Sequence, residues 1–265
     1  MSRGASEWTG STVPAQVGLL TARSLRTAFG NPRLVFYGLL QPIVLLLLFS
    51  QVFRGVAALP GVAVYRAYID YLMPATMVNI AVVTAMSSGI GVMAEIYTGF
   101  IGRLRTMPIS MTSVLAARTL ADATRLAVQL AVITGAAFAF LDFRPADAAG
   151  TVAACLLAVF TGWGVGWLFV AIATWQSKPE VMQAVSFVVM FPLMFTSSAY
   201  MPVASMPTLL RWIARANPLT YAVDAARRLC FGQAFGTALA EAVLLVCGAA
   251  AIGGFFAVRN FTARS

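Results

Sequence analysis

Histidine is missing from the 265 residues, and lysine occurs once, at Lys178. Without imidazole, histidine metal sites, histidine haem ligation and the commonest general base are excluded. Charge is scarce too: 10% of residues are charged, against roughly 25% in a soluble domain. Nine acids and eighteen bases leave a formal charge of +9, carried almost wholly by arginine. The three cysteines, Cys155, Cys230 and Cys247, lie far apart and imply no disulfide framework. No G-x-x-x-x-G-K-[ST] phosphate loop occurs, and Lys178 has no glycine-rich turn before it, so the chain is not expected to hydrolyse nucleotide itself.

Apolar residues fill the space left by these absences, at 60% of the chain with a mean hydropathy of +0.84. This is the composition of an all-α integral membrane protein. A helix needs about 20 apolar residues to cross the hydrocarbon core, and six runs qualify, at about 34–53, 71–94, 121–141, 148–175, 181–200 and 237–258. Residues 1–265 therefore read as a single transmembrane domain. Pro42, Pro74 and Pro192 fall inside these runs and predict kinks, which membrane helices tolerate because neighbouring helices and water satisfy the freed carbonyls. With both termini on one side, eleven of the eighteen bases fall on that side, so both termini are expected in the cytoplasm. The first run starts only at Leu34 and reads as an uncleaved anchor.

Three segments fall outside the spans. Residues 14–29 place Val17, Leu20 and Leu25 among Arg23 and Arg26, and read better as an amphipathic interfacial helix than as a solvated leader. Between spans two and three, Tyr97, Phe100, Ile101 and Leu104 recur at helical spacing beside Arg103 and Arg105, with Pro108 as the stop. An apolar ridge flanked by bases suits a partner's groove or a headgroup surface, and spacing does not choose between them. Between spans five and six, prolines break about 36 residues into two short helices, 206–216 and 219–231. Asn217-Pro218 separates them as cap and first helical residue. Asp224 precedes Arg227 and Arg228 by three and four residues, the spacing of structural ion pairs. Gly162 and Gly166 permit close packing of span four.

Three functions compete. A secondary carrier or channel is one: ion-coupled carriers usually place carboxylates or histidine well inside the membrane, and the only candidate, Glu241, about one turn into the last span, reads better as an interfacial carboxylate. A lipid-modifying enzyme needs convergent nucleophile, base or metal ligands that the chain lacks. An export permease driven by a separate ATPase needs neither.

Three blocks carry a family resemblance: Arg103-Leu-Arg105-Thr-Met-Pro108-Ile-Ser110 with Ala117-Arg118-Thr-Leu-Ala-Asp122; Pro192 to Pro207 around Ser198; and Asn217-Pro218-Leu-Thr-Tyr-Ala-Val-Asp224-Ala-Ala-Arg227. In order and spacing the chain resembles the membrane subunits of ATP-binding-cassette exporters of the type-2 permease class, most closely the daunorubicin-resistance permeases of actinobacteria. The resemblance implies six spans in a bacterial cytoplasmic membrane and a second permease subunit, identical or paralogous. It also implies cytoplasmic ATPase subunits, on which ATP and magnesium act; this chain would hold no cofactor, metal or nucleic acid. It makes Glu95, Tyr97, Phe100, Arg103, Leu104, Arg105 and Pro108 the coupling helix that engages the ATPase. Met77, Asn79, Met190, Phe191 and Phe195 become candidate pathway residues for a hydrophobic or amphipathic cargo such as a drug, antibiotic or lipid. Asn217, Pro218, Asp224 and Arg227 belong to the extracellular gate segment.

Overall fold

A computed structural model describes residues 12–30, 32–52, 55, 59, 61–99, 111–176, 178–234 and 236–263. The described residues form α1 (Val13–Phe29), α2 (Pro32–Val52), α3 (Tyr68–Tyr97), α4 (Met111–Phe140), α5 (Ala148–Trp175), α6 (Pro179–Phe195), a 3₁₀ turn (Val203–Ser205), α7 (Thr208–Ala216), α8 (Pro218–Cys230) and α9 (Ala238–Ala263). No strand occurs among them. Four helices are long and apolar enough to cross a membrane, Tyr68–Tyr97, Ser113–Phe140, Ala148–Trp175 and Ala238–Asn260, and two shorter ones are strongly apolar, Phe36–Val52 and Pro179–Phe195.

α3 and α5 form the centre. α5 packs along α3 on one side and α9 on the other, while α4, α6 and α8 complete the contacts around α3. Glycines set these approaches. A Cβ at Gly162 would lie 2.7 Å from Leu126 and 3.0 Å from the Ala81 carbonyl, and one at Gly253 would lie 2.5 Å from the Trp167 backbone. Several threonine hydroxyls inside the bundle are satisfied within their own helices, as Thr76 donates to the Leu72 carbonyl and Thr161 to that of Leu157.

Three helix bounds differ from the sequence reading by five residues or more, one of them the end of α9, at Ala263 rather than 258. α4 begins at Met111, about ten residues before the apolar run. Arg118 and Asp122 sit on this helix and pair with each other, so the charges that mask the helix in hydropathy are neutralised locally. α6 ends at Phe195 rather than at Tyr200. Thr196 closes it by donating both its amide and its hydroxyl to the Pro192 carbonyl. The helices of 42, 74 and 192 continue through their prolines. The two short helices after α6 fall as expected, with Asn217 capping α8 through the Leu219 amide.

Candidate functional site

Polar side chains gather at the two ends of the bundle. At the end holding α1, α3 ends at Tyr97 and α4 starts at Met111. Arg118 spans the gap between them. Its guanidinium donates to Glu95 on α3 at 2.6 Å and to Asp122 on its own helix at 3.2 Å. Asp122 is also 3.9 Å from Arg125. Gly91 makes room for this crossing, since a Cβ there would fall on the Arg118 guanidinium. α1 is fastened to the same place by the Thr21 hydroxyl, which donates to the Ala117 carbonyl at 3.2 Å.

Of the residues implied for coupling, Glu95 is thus committed to Arg118, and Tyr97 projects from the end of α3, well exposed. Phe100, Arg103, Leu104, Arg105 and Pro108 lie outside the described residues. Arg118 is the member whose spatial role the sequence did not reveal: 23 residues separate it from Glu95, and the enabling Gly91 carries no motif.

At the opposite end the gate residues converge. Arg227 of α8 is buried, and each guanidinium nitrogen finds oxygen. Nε donates to the Tyr71 carbonyl at 3.0 Å, one terminal nitrogen donates to Asp224 at 3.1 Å, and the other donates to the carbonyls of Ser198 at 2.7 Å and Ala199 at 3.0 Å. The Ser198 hydroxyl donates to Asp224 at 2.7 Å. These carbonyls belong to the turn after α6, where no further helical turn can supply donors; Arg227 supplies them. Arg228 takes no part, bonding instead to the Ala234 carbonyl. Asn217 ties the same corner: its side-chain oxygen caps α8 while its amide donates to the Leu193 carbonyl at 2.6 Å and to the Thr196 hydroxyl at 3.2 Å. Pro218 is the first residue of α8.

The candidate pathway residues separate into two groups. Met77 and Met190 are buried among neighbouring helices, so they face no open surface in this conformation. Phe191 and Phe195 are about half exposed and stand in a ladder with Phe187 and Tyr200, with successive centroids 5.7, 5.8 and 5.3 Å apart. Asn79 joins its end, donating to the Tyr200 hydroxyl at 3.1 Å. Glu241 lies in the first turn of α9, as the apolar run placed it. Among the described residues no group of histidine, cysteine and carboxylates stands ready for a metal ion.

An all-helical bundle of apolar helices with charge confined to its ends has the form of a multi-pass membrane transport subunit. The sequence model of the ABC-2 type transporter family matches residues 15–231, and the chain belongs to that family. It is 32% identical over 197 residues to the daunorubicin resistance ABC transporter permease protein DrrB1 of Streptomyces coeruleorubidus, covering 74% of this chain and 68% of the relative. It is 26% identical over 215 residues to the provisionally named transport permease ycf38 of Pyropia yezoensis, covering 81% of this chain and 73% of the relative. A counterpart in Porphyra purpurea is 27% identical over 213 residues, with 80% and 72% covered.

Proposed function

We propose that this chain is the permease subunit of an ATP-driven exporter of hydrophobic or amphipathic molecules across a bacterial cytoplasmic membrane. The observation that carries the reading is the family match across residues 15–231 on a chain of apolar helices. In this reading α2, α3, α4, α5, α6 and α9 are the six spans, α1 lies in the cytoplasmic interface, and both termini are cytoplasmic. Two permease subunits work with cytoplasmic ATPase subunits, which hold ATP and magnesium.

The segment from Glu95 to Pro108 engages the ATPase. Arg118 supports this role by joining the helices on either side of it, so that a push on the segment reaches α3 and α4 together. The outer gate is the corner of Asn217, Pro218, Asp224 and Arg227. The ladder of Phe187, Phe191, Phe195 and Tyr200 supports a pathway surface on α6, where stacked rings accept varied apolar cargo. The relative named for daunorubicin resistance makes a drug or antibiotic a reasonable first cargo to assay.

Purification of the tagged full chain from its host in mild detergent tests the reading. Recovery of an ATPase subunit whose activity rises with the permease, together with ATP-dependent transport in liposomes, supports it. Recovery of the chain alone with ATP-independent transport overturns it in favour of a secondary carrier.

A further inference from the structure

α2 carries an amide near the middle of an apolar helix. Gln41 is the tenth of its 21 residues, and Pro42 follows it. Proline has no N–H to give, so the Gly38 carbonyl, four residues back, loses its helical donor. A different glutamine repairs this: Gln129 of α4 donates its side-chain amide to that carbonyl at 2.9 Å. Gln41 has no such task. It is exposed, and among the described residues it has no hydrogen-bond partner.

Tyr37, Gln41, Val44 and Leu48 follow one another at steps of four, three and four residues, the spacing of a helix–helix seam, and all four are exposed. Leu46, the only buried side chain among those described in α2, lies two residues from both Val44 and Leu48, and so about 200° round the helix from them. The seam therefore turns away from the bundle. In the six-span arrangement proposed above that side meets hydrocarbon, where lipid chains offer an amide neither donor nor acceptor and an unpaired one is costly.

We propose that this face of α2 seats a second copy of the same chain, with the Gln41 amide of one copy hydrogen-bonded to the equivalent amide of the other. Two copies inserted the same way round are related by a two-fold axis along the membrane normal, so their α2 helices run parallel and equivalent positions meet beside the axis. An amide is complementary to itself, since each carries both donor and acceptor, and one polar pair in an otherwise apolar seam also fixes its register. Phe49 of α2 meets the Tyr200 ring edge-on at 5.1 Å, which ties the seam helix to the end of the aromatic ladder proposed for cargo. The inference rests on the reading of α2 as a span, and it makes the second permease subunit an identical one.

The test uses the full chain, cysteine-free apart from the probe position, in phosphatidylcholine liposomes with no ATPase and no cargo. Energy transfer between copies labelled at Thr12→Cys with donor or acceptor, followed as the protein is diluted into lipid, is expected to show self-association. Gln41→Leu should weaken that association roughly tenfold, the worth of two modest interhelical hydrogen bonds, and Gln41→Asn, which keeps an amide, should recover much of the loss. The unfolding midpoint of Gln41→Leu in detergent that disperses the chain to monomers should not fall, because Gln41 bonds to nothing within the chain; this separates lost pairing from lost folding. Oxidation should cross-link Val44→Cys and Leu48→Cys copies to themselves and leave Phe36→Cys and Leu47→Cys, each about 100° round the helix from a seam position, unlinked. Monomers at every dilution, equal association of wild type and Gln41→Leu, or cross-links through Phe36→Cys and Leu47→Cys alone overturn the proposal. Reaction of Val44→Cys with a water-soluble maleimide in the same liposomes overturns it by another route, since it removes α2 from the membrane and the six-span reading with it. None of these results depends on the ATPase, so a chain that pairs through α2 but recovers no ATPase keeps this inference and loses only the exporter reading.

Discussion

The Arg227 guanidinium lies over the face of Tyr71 with its carbon 3.6 Å from the ring centroid, while its Nε donates to the carbonyl of the same tyrosine. α8 is thereby held to the start of α3 by both ring and backbone, and the remaining nitrogens hold the turn after α6. Arg227→Gln removes the charge that offsets Asp224 and leaves the Ser198 and Ala199 carbonyls short of donors. The expected loss is on the order of 3 kcal/mol, as for other broken buried charge networks, read as a lowered unfolding midpoint in detergent. Arg227→Lys should recover only part of it, because an ammonium cannot reproduce the planar fork or lie flat on the ring. A variant as stable as wild type would show that the corner is held elsewhere.

Arg118 and Glu95 provide a pairwise test of the opposite end. Each side chain is less than a third exposed, 24% and 29%, so solvent screens the pair less than a surface bridge. Glu95→Gln and Arg118→Gln should each lower stability, and the double variant should lose less than their sum, by on the order of 1 kcal/mol. A chain with ATPase partner present should also lose transport more than it loses ATPase activity in either single variant. Additive losses in stability would show that the 2.6 Å contact contributes nothing of its own.

Two helical glycines should respond with opposite sign. A Cβ at Gly150 would strike the Leu229 carbonyl, and that backbone cannot retreat freely, because the next carbonyl, of Cys230, accepts the amides of Ala146 and Asp147. Gly150→Ala is expected to cost about 1–3 kcal/mol, as overpacking does. Gly135, in the interior of α4, has nothing within 4 Å of its would-be Cβ. Gly135→Ala should instead stabilise by roughly 0.5–1 kcal/mol through the helix backbone. Unfolding midpoints of the two variants in the same detergent decide both signs.

What the sequence makes legible here is what local chemistry writes. Asn217-Pro218 marks its own helix start, and the apolar runs locate the long helices because length and hydropathy are properties of a contiguous segment. The end of α6 was hidden because Met194, Phe195, Ala199 and Tyr200 continue the apolar composition past the point where Thr196 turns back on Pro192. The three turns of α4 before its apolar run were hidden for the opposite reason, their charges being matched by partners hydropathy does not see. Spacing predicted the ion pair of Asp224 with Arg227, and it forms; the larger part of Arg227's bonding reaches back 28 to 156 residues, where no spacing rule applies. Met77 and Met190 show the same limit: residue type placed them among candidate pathway residues, but which face a helix buries depends on its neighbours.

The loop after α4 gives a prediction in pH. Asp142 holds a positive φ of 53°, uncommon outside glycine, asparagine and aspartate, and its carboxylate accepts from Arg144 at 3.0 Å and Arg66 at 2.9 Å. Those two hydrogen bonds hold the Asp142 carboxyl below its ordinary value. A group whose folded pKa is depressed adds stability that is present above its unfolded pKa, near 3.9 for aspartate, and lost as pH falls through the folded value. The wild-type midpoint should therefore fall on acidification below about pH 4, with part of the fall absent in Asp142→Asn. Asparagine tolerates the same backbone conformation, so the comparison isolates charge from turn geometry, and Asp142→Ala should add a strain penalty at every pH. Because the carboxylate is fully solvent-exposed, added salt should shrink the wild-type advantage over Asp142→Asn at neutral pH. Parallel acid profiles for wild type and Asp142→Asn would show that the acid sensitivity does not arise at Asp142.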